Sequence, residues 1–226
     1  MTETVAPNGS ARVPPPASDE PVRRSPAGAM HAELGADLVL EAGWEIVRSY
    51  GDPDKERSFL NSGIAIADVT ARAKIDVRGN TVACEPLASD GDVVARMSPE
   101  WALLVSRPGT VTERVTSLQN RAGTAAMVTD VTHLYAGFAL CGPQLPELLA
   151  RVTGWNHGGL TPGGSAGAPI ADVRAVVVRR ELAIPVIEAF VSAEFGRHVW
   201  ATLLGVVRSL GGGPAGWEAL RGEGWF

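Results

Sequence analysis

The chain has 226 residues, 45% of them hydrophobic and 20% charged, with a formal net charge of −5. That balance excludes a wholly disordered or fibrous chain and leaves room for one well-cored domain or two small ones. The basic residues are scattered, with no cluster longer than the pairs Arg23-Arg24 and Arg179-Arg180, so nucleic acid is not expected as a partner.

Residues 1–29 are rich in Pro, Ala, Ser, Glu and Arg and carry too little apolar surface to offset the entropy of ordering. They read as a disordered tail, with a docking arm as the functional alternative. From residue 30 the pattern turns globular. A short helix around 31–36 runs into an extended stretch at 37–40, which Gly43 and Gly51 interrupt. A helix over 55–62 ends at Gly63, a plausible helix-terminating glycine. Strands are expected at 64–69 and 74–78, linked by Ala71-Arg72, then at 93–94 and 101–105 around Ser98-Pro-Glu100.

Thr110 and Glu113 have capping-box spacing and predict a helix over 110–121. Residues 127–131 and 136–140 read as a strand pair, and Leu145, Leu148, Leu149 and Val152 form the apolar stripe of a helix. Residues 158–169 read as a Gly-rich loop, 173–178 and 185–191 as strands, and 195–206 as a last long helix. Strands and helices do not alternate strictly, so the fold class is α+β, with mostly antiparallel sheets and packed helices rather than a doubly wound parallel sheet.

Cys84 and Cys141 are far apart, without a CxxC, which fits a reducing cytoplasm better than a disulfide scaffold. The four histidines (His31, His133, His157, His198) have no metal-ligand spacing, so no metal is expected. No apolar run approaches the roughly 20 residues that span a bilayer. A cytoplasmic protein without a membrane partner is expected.

Several segments follow one another in a recognisable order: His31-Ala-Glu-Leu-Gly-Ala36, Glu41-Ala-Gly-Trp-Glu45, Ser49-Tyr-Gly51, Glu56, Gly63-Ile-Ala-Ile-Ala-Asp68 and Lys74-Ile-Asp-Val-Arg-Gly79. The series resembles the opening of the glycine cleavage T protein (aminomethyltransferase) family. Ala139-Leu-Cys-Gly-Pro143 and the closing Pro214-Ala-Gly-Trp-Glu-Ala-Leu-Arg221 continue it, and Ser98-Pro-Glu-Trp-Ala-Leu-Leu-Val105 is similar to the gamma subunit of heterotetrameric sarcosine oxidases. The resemblance implies that residues 30–226 form a folate-binding domain. The stretch between Gly79 and Asp92 is shorter than in the family, and the family's C-terminal barrel domain is expected to be absent.

By this resemblance the protein is a tetrahydrofolate-dependent aminomethyl or methyl transferase acting on a small or carrier-bound amine. The alternative is a non-catalytic folate-domain subunit of a larger protein complex. Glu188 falls at the slot of the pterin-binding glutamate, where a planar carboxylate accepts the N–H and NH2 of one ring edge. On the residues alone, Glu188 either enters a pocket or faces solvent on an alternating strand. Asp92 matches the catalytic aspartate, which would steady charge at the reacting folate amine. It equally reads as part of an Asp90-Gly91-Asp92 turn. Arg221 matches the closing motif and is assigned to the cofactor, against a solvated helix-end arginine. The family's aromatic tyrosine beside the aspartate is Arg96 here, and its Gly-Tyr-Thr-Gly-Glu-like segment is replaced by residues 180–184.

Overall fold

The computed structural model describes residues 21–81, 91–180 and 182–221. Helix α1 (Gly28–Glu33) precedes a hairpin of β1 (Asp37–Glu41) and β2 (Trp44–Ser49). Ala42 and Gly43 turn that hairpin with φ of 49° and 78°, a two-residue turn whose hand matches strand twist. Gly43 therefore makes a second strand possible where an interruption was expected. Helix α2 (Pro53–Ser62) starts on Asp52, whose carboxylate accepts from the Lys55 amide at 3.0 Å, with Pro53 pre-set in the first turn. Gly63 does end it, but at φ −137° rather than in the left-handed region.

Strands β3 (Ala65–Asp68), β4 (Ala73–Gly79), β5 (Val93–Ser98) and β6 (Trp101–Ser106) lead to helix α3 (Val111–Ala122). Thr110 stands at the N-cap of α3 but makes no capping bond. Its hydroxyl is engaged with Ser106 Oγ at 2.9 Å and the Arg107 carbonyl at 2.8 Å. Next come β7 (Ala126–Asp130), β8 (Tyr135–Cys141), helix α4 (Leu145–Val152), β9 (Ser165–Ile170), β10 (Val173–Arg179) and β11 (Val186–Ser192). Helix α5 (Gly196–Ser209), the short β12 (Gly213–Pro214) and α6 (Trp217–Leu220) complete the described chain. β9 occupies half of the expected Gly-rich loop. It is an edge strand, the setting in which Pro169 and a Gly are tolerated.

Besides the β1–β2 hairpin there is a six-stranded sheet in the order β12-β3-β8-β11-β10-β9 and a four-stranded sheet in the order β5-β6-β4-β7. Every pairing is antiparallel except β12 with β3. The α+β reading holds. β7 and β8 do not pair with each other: β7 adds to β4, while β8 lies between β3 and β11. Nearness in sequence suggested the pair, but the 3-10 turn at Thr132–Leu134 carries the chain from one sheet to the other.

One face of the six-stranded sheet (Ile66, Phe138, Leu140, Ile187, Ala189, Val191) packs under α4 and α5 around the fully buried Trp200. The other face (Ala67, Ala139, Val178, Val186, Phe190) meets Val93, Ala95, Leu103 and Val105 of the four-stranded sheet. Helix α3 covers the outer face of that sheet through Leu118 on Ile75, Val77 and Leu104.

Residues 21–29, expected in the N-terminal tail, pack against this frame. Arg23 bridges to Trp44, Ala27 is fully buried in the helix-side core, and Ser25 Oγ donates to Asp68. A buried apolar methyl and a satisfied buried carboxylate supply what composition alone did not reveal. No helix among the described residues is long and apolar enough to cross a membrane.

Candidate functional site

Alternation along β11 sends Ile187, Ala189 and Val191 to the helices and Val186, Glu188 and Phe190 into the layer between the sheets. Glu188 is fully buried there, flanked in register by Val178 on β10 and Ala139 on β8. The solvent-face reading is thereby excluded. A carboxylate in this layer must be neutralised or paired, and two guanidinium groups do so. Arg72, in the β3–β4 link, and Arg180, after β10, each donate from Nη1 to Glu188 Oε1 at 2.5 Å.

Arg72 is itself fully buried. Its remaining donors reach the Gly91 carbonyl and, at 3.4 Å, the carbonyls of Val105 and Ser106. Burial lowers the Arg72 pKa, and the Glu188 charge opposes that shift. The group stays cationic, since guanidinium does not lose its proton in proteins.

Asp92 immediately precedes β5, and its side chain is fully buried. Asp92 Oδ1 accepts from Ser106 Oγ at 2.5 Å, and Oδ2 lies 3.0 Å from Arg114 Nη2 on α3. Arg72 lies between the two segments: Nη1 holds Glu188, while Nη2 and Nε reach the carbonyls of Gly91, next to Asp92, and of Ser106, whose hydroxyl donates to Asp92. Two acidic side chains 96 residues apart in numbering, 188 less 92, thus share one buried cluster. Asp90 lies outside the described residues.

Arg221 stands apart. It is 67% exposed, 3.6 Å from Glu41, in a surface groove of about 290 Å³ shared with Arg107, Thr110 and Trp217. Among the described residues it makes no contact with Glu188 or Asp92, which matches the solvated reading.

To take a pterin edge, Glu188 must present its carboxylate to open space. Here Oε1 is filled by two arginines and the whole residue is shielded from solvent. A groove of about 730 Å³ opens further along the same layer, lined by Met97, Trp101, Tyr135, Phe190 and Phe195, but neither Glu188 nor Asp92 lines it. As arranged, the two carboxylates do not fit tetrahydrofolate.

Two further polar groups in the interior were not singled out in sequence. Asp68 is buried, and its Oδ2 lies 2.8 Å from His31 Nε2, while His31 Nδ1 meets the Tyr50 hydroxyl at 2.9 Å. Burial pushes Asp68 up, yet the hydrogen bonds from His31, Ser25 and Thr70 outweigh it and leave the pKa below the ordinary value. Lys74 on β4 is fully buried, donating to the carbonyls of Thr70 (2.5 Å) and Thr132 (3.3 Å). Burial drives its pKa down to about 7 against the pull of Asp68. Among the described residues, no group of three or more His, Cys, Asp or Glu side chains could hold a metal.

No protein-family model matches the chain. It is 25% identical, over 88% of its length, to an aminomethyltransferase of Streptomyces coelicolor, and 28% identical, over 86%, to one of Parafrankia sp.. It spans 61% of the length of both relatives. The crystal structure of glycine cleavage system aminomethyltransferase T from Bartonella henselae superposes with a TM-score of 0.72 at 19% identity, over 88% of this chain and 60% of that one. A chain of the heterotetrameric sarcosine oxidase from Corynebacterium sp. U-96 gives 0.61 at 17% identity, over 83% of this chain and 96% of that one. The resemblance read from the sequence is matched by these relatives, and the fold is the one these two structures share.

Proposed function

We propose that this chain works as a folate-independent subunit of aminomethyltransferase fold within a larger protein complex. The observation that carries the proposal is the sealed Glu188 carboxylate, fully buried and held by Arg72 and Arg180. A ligand reaching Glu188 would have to displace two charge-assisted hydrogen bonds from a dry interior, where removing one partner of a buried ion pair costs about 3–5 kcal/mol. Likeness to a chain of a heterotetramer, over 96% of that chain, supports a role in an assembly. So does the exposed Phe195, which lines the groove of Trp101 and Tyr135, since exposed apolar groups at a groove mark interaction surfaces. Titration calorimetry of the isolated chain with tetrahydrofolate tests the idea. No heat is expected up to about 1 mM ligand, and a micromolar Kd would refute it.

A second reading, tetrahydrofolate-dependent transfer of an aminomethyl or methyl group from a small or carrier-bound amine, has its own support. Glu188 and Asp92 meet in one cluster, and Glu188 Oε2 has no hydrogen-bond partner among the described residues. It requires Arg72 to leave its present place. Methylene transfer by the isolated chain would decide for it.

A further inference from the structure

The layer between the sheets is sealed at Glu188 and open farther along, in the groove of about 730 Å³. Strand register sets out the groove floor in rows. In the inner row Gly167 on β9 pairs with Val176 on β10, and Val176 with Phe190 on β11. The Phe190 ring covers Gly137 of β8, where a Cβ would stand 2.9 Å from it. Met97 of β5 reaches over Gly167, 3.3 Å from the place of a Cβ, so a side chain there would narrow the slot. The opposite wall is Met97 with Trp101, whose ring is fixed by an Nε1–H bond to Asp76 at 2.7 Å and by the Arg78 guanidinium 4.2 Å from its centre.

The next row outward is polar. Ser192 pairs with Tyr135, and Arg174 and Ser192 follow directly on the pair Ala175 and Val191. Such neighbours share one face, with Cβ atoms about 5 Å apart. Among the described residues, Arg174 and the hydroxyls of Ser192 and Tyr135 have no hydrogen-bond or ion-pair partner, and all three line the groove. Burial, with the Asp76 charge, raises the Tyr135 pKa, so its phenol stays a donor at neutral pH. Asp172, the one acidic residue of the lining, is exposed on the β9–β10 turn, where solvent screens it.

We infer that this groove is a binding site for a small monocarboxylate with an aromatic or branched apolar body. The body lies on Val176 and Phe190 against Met97 and Trp101, and the carboxylate accepts from Arg174, Ser192 and Tyr135. The volume suits such a ligand, since small-molecule sites span about 300–1,000 Å³. Neither Glu188 nor Asp92 takes part, so the inference goes beyond the subunit reading and does not depend on it.

Met1, Met30, Met97 and Met127 are the only methionines, so isotope-labelled methionine methyl groups report on the groove by NMR while the full chain is titrated with naphthylacetate. Met97→Leu assigns the reporter. The Met97 methyl should move upfield under the naphthalene ring, saturating with a Kd on the order of 100 µM, while the helix-side Met30 stays put. Naphthylethanol, with the same body and no charge, should bind roughly tenfold more weakly or worse. So should naphthylacetate to Arg174→Gln, a substitution at an exposed position that leaves the core intact. No Met97 shift up to about 5 mM naphthylacetate would overturn the inference, as would equal affinity for acid and alcohol or undiminished binding by Arg174→Gln. Tetrahydrofolate binding that leaves the Met97 methyl unmoved would count only against the function proposed above.

Discussion

The two faces of the six-stranded sheet are built from the same strands yet obey different chemistry. The helix-side face packs hydrocarbon and the Asp68-paired His31 ring around Trp200, whereas the inter-sheet face carries Glu188 and looks onto the buried Arg72 and Lys74. Strand β11 contributes to both, two residues of one parity never meeting those of the other. Both layers are packed with apolar side chains; the inter-sheet one also encloses opposed charges, each of which needs its partner.

The largest test of that contrast is on the apolar face. Trp200→Ala should cost about 3–5 kcal/mol in urea unfolding. Trp200 Nε1 has no hydrogen-bond partner among the described residues, so Trp200→Phe should cost clearly less. If the two substitutions destabilise equally, the face is held by something other than packing.

On the polar face, Glu188→Gln removes the charge that Arg72 and Arg180 share and should cost about 3 kcal/mol. A loss below about 1 kcal/mol would mean that water reaches the layer.

Lys74 gives a pH signature of the same face. Its pKa in the folded chain, about 7, lies below its ordinary 10.5. Between those values the unfolded chain binds the extra proton, so stability rises with pH. The penalty for burying the ammonium is fully present below pH 7 and fades toward pH 10. Urea midpoints should climb from pH 7 to 9.5, and Lys74→Met should flatten the climb.

The smallest expected effect lies at the rim. Ala171 and Asp172 turn β9 into β10 with φ of 50° and 64°, a conformation that favours glycine. Asp172 is exposed, so Asp172→Gly should gain about 0.5 kcal/mol, read as a small rise in melting midpoint.

Much of the site's resemblance was legible, but little of its state. The ordered segments from His31 to Gly79 carried the resemblance, and the apolar strand around Glu188 marked that carboxylate as unusual. Arg72 escaped notice because it stands in a short link between two strands, where an arginine normally reaches water. Its one local signal was its company, Ala71, Ala73 and the equally buried Lys74. Arg221 was placed by motif alone, and motif position does not say which way a side chain at a helix end turns.

What the residues alone determined is most of the elements, though not β2 or β9, and the fold class, because helix stripes and strand alternation are local patterns of period 3.6 and 2. Only the tertiary structure decided that β7 and β8 part company, that residues 21–29 are held, and that Arg72 lies between Glu188 and the backbone beside Asp92. Those outcomes depend on contacts between segments far apart in the chain. A charge buried at such a junction takes its partner from whichever segment the fold brings near, and neighbouring sequence carries no record of that choice.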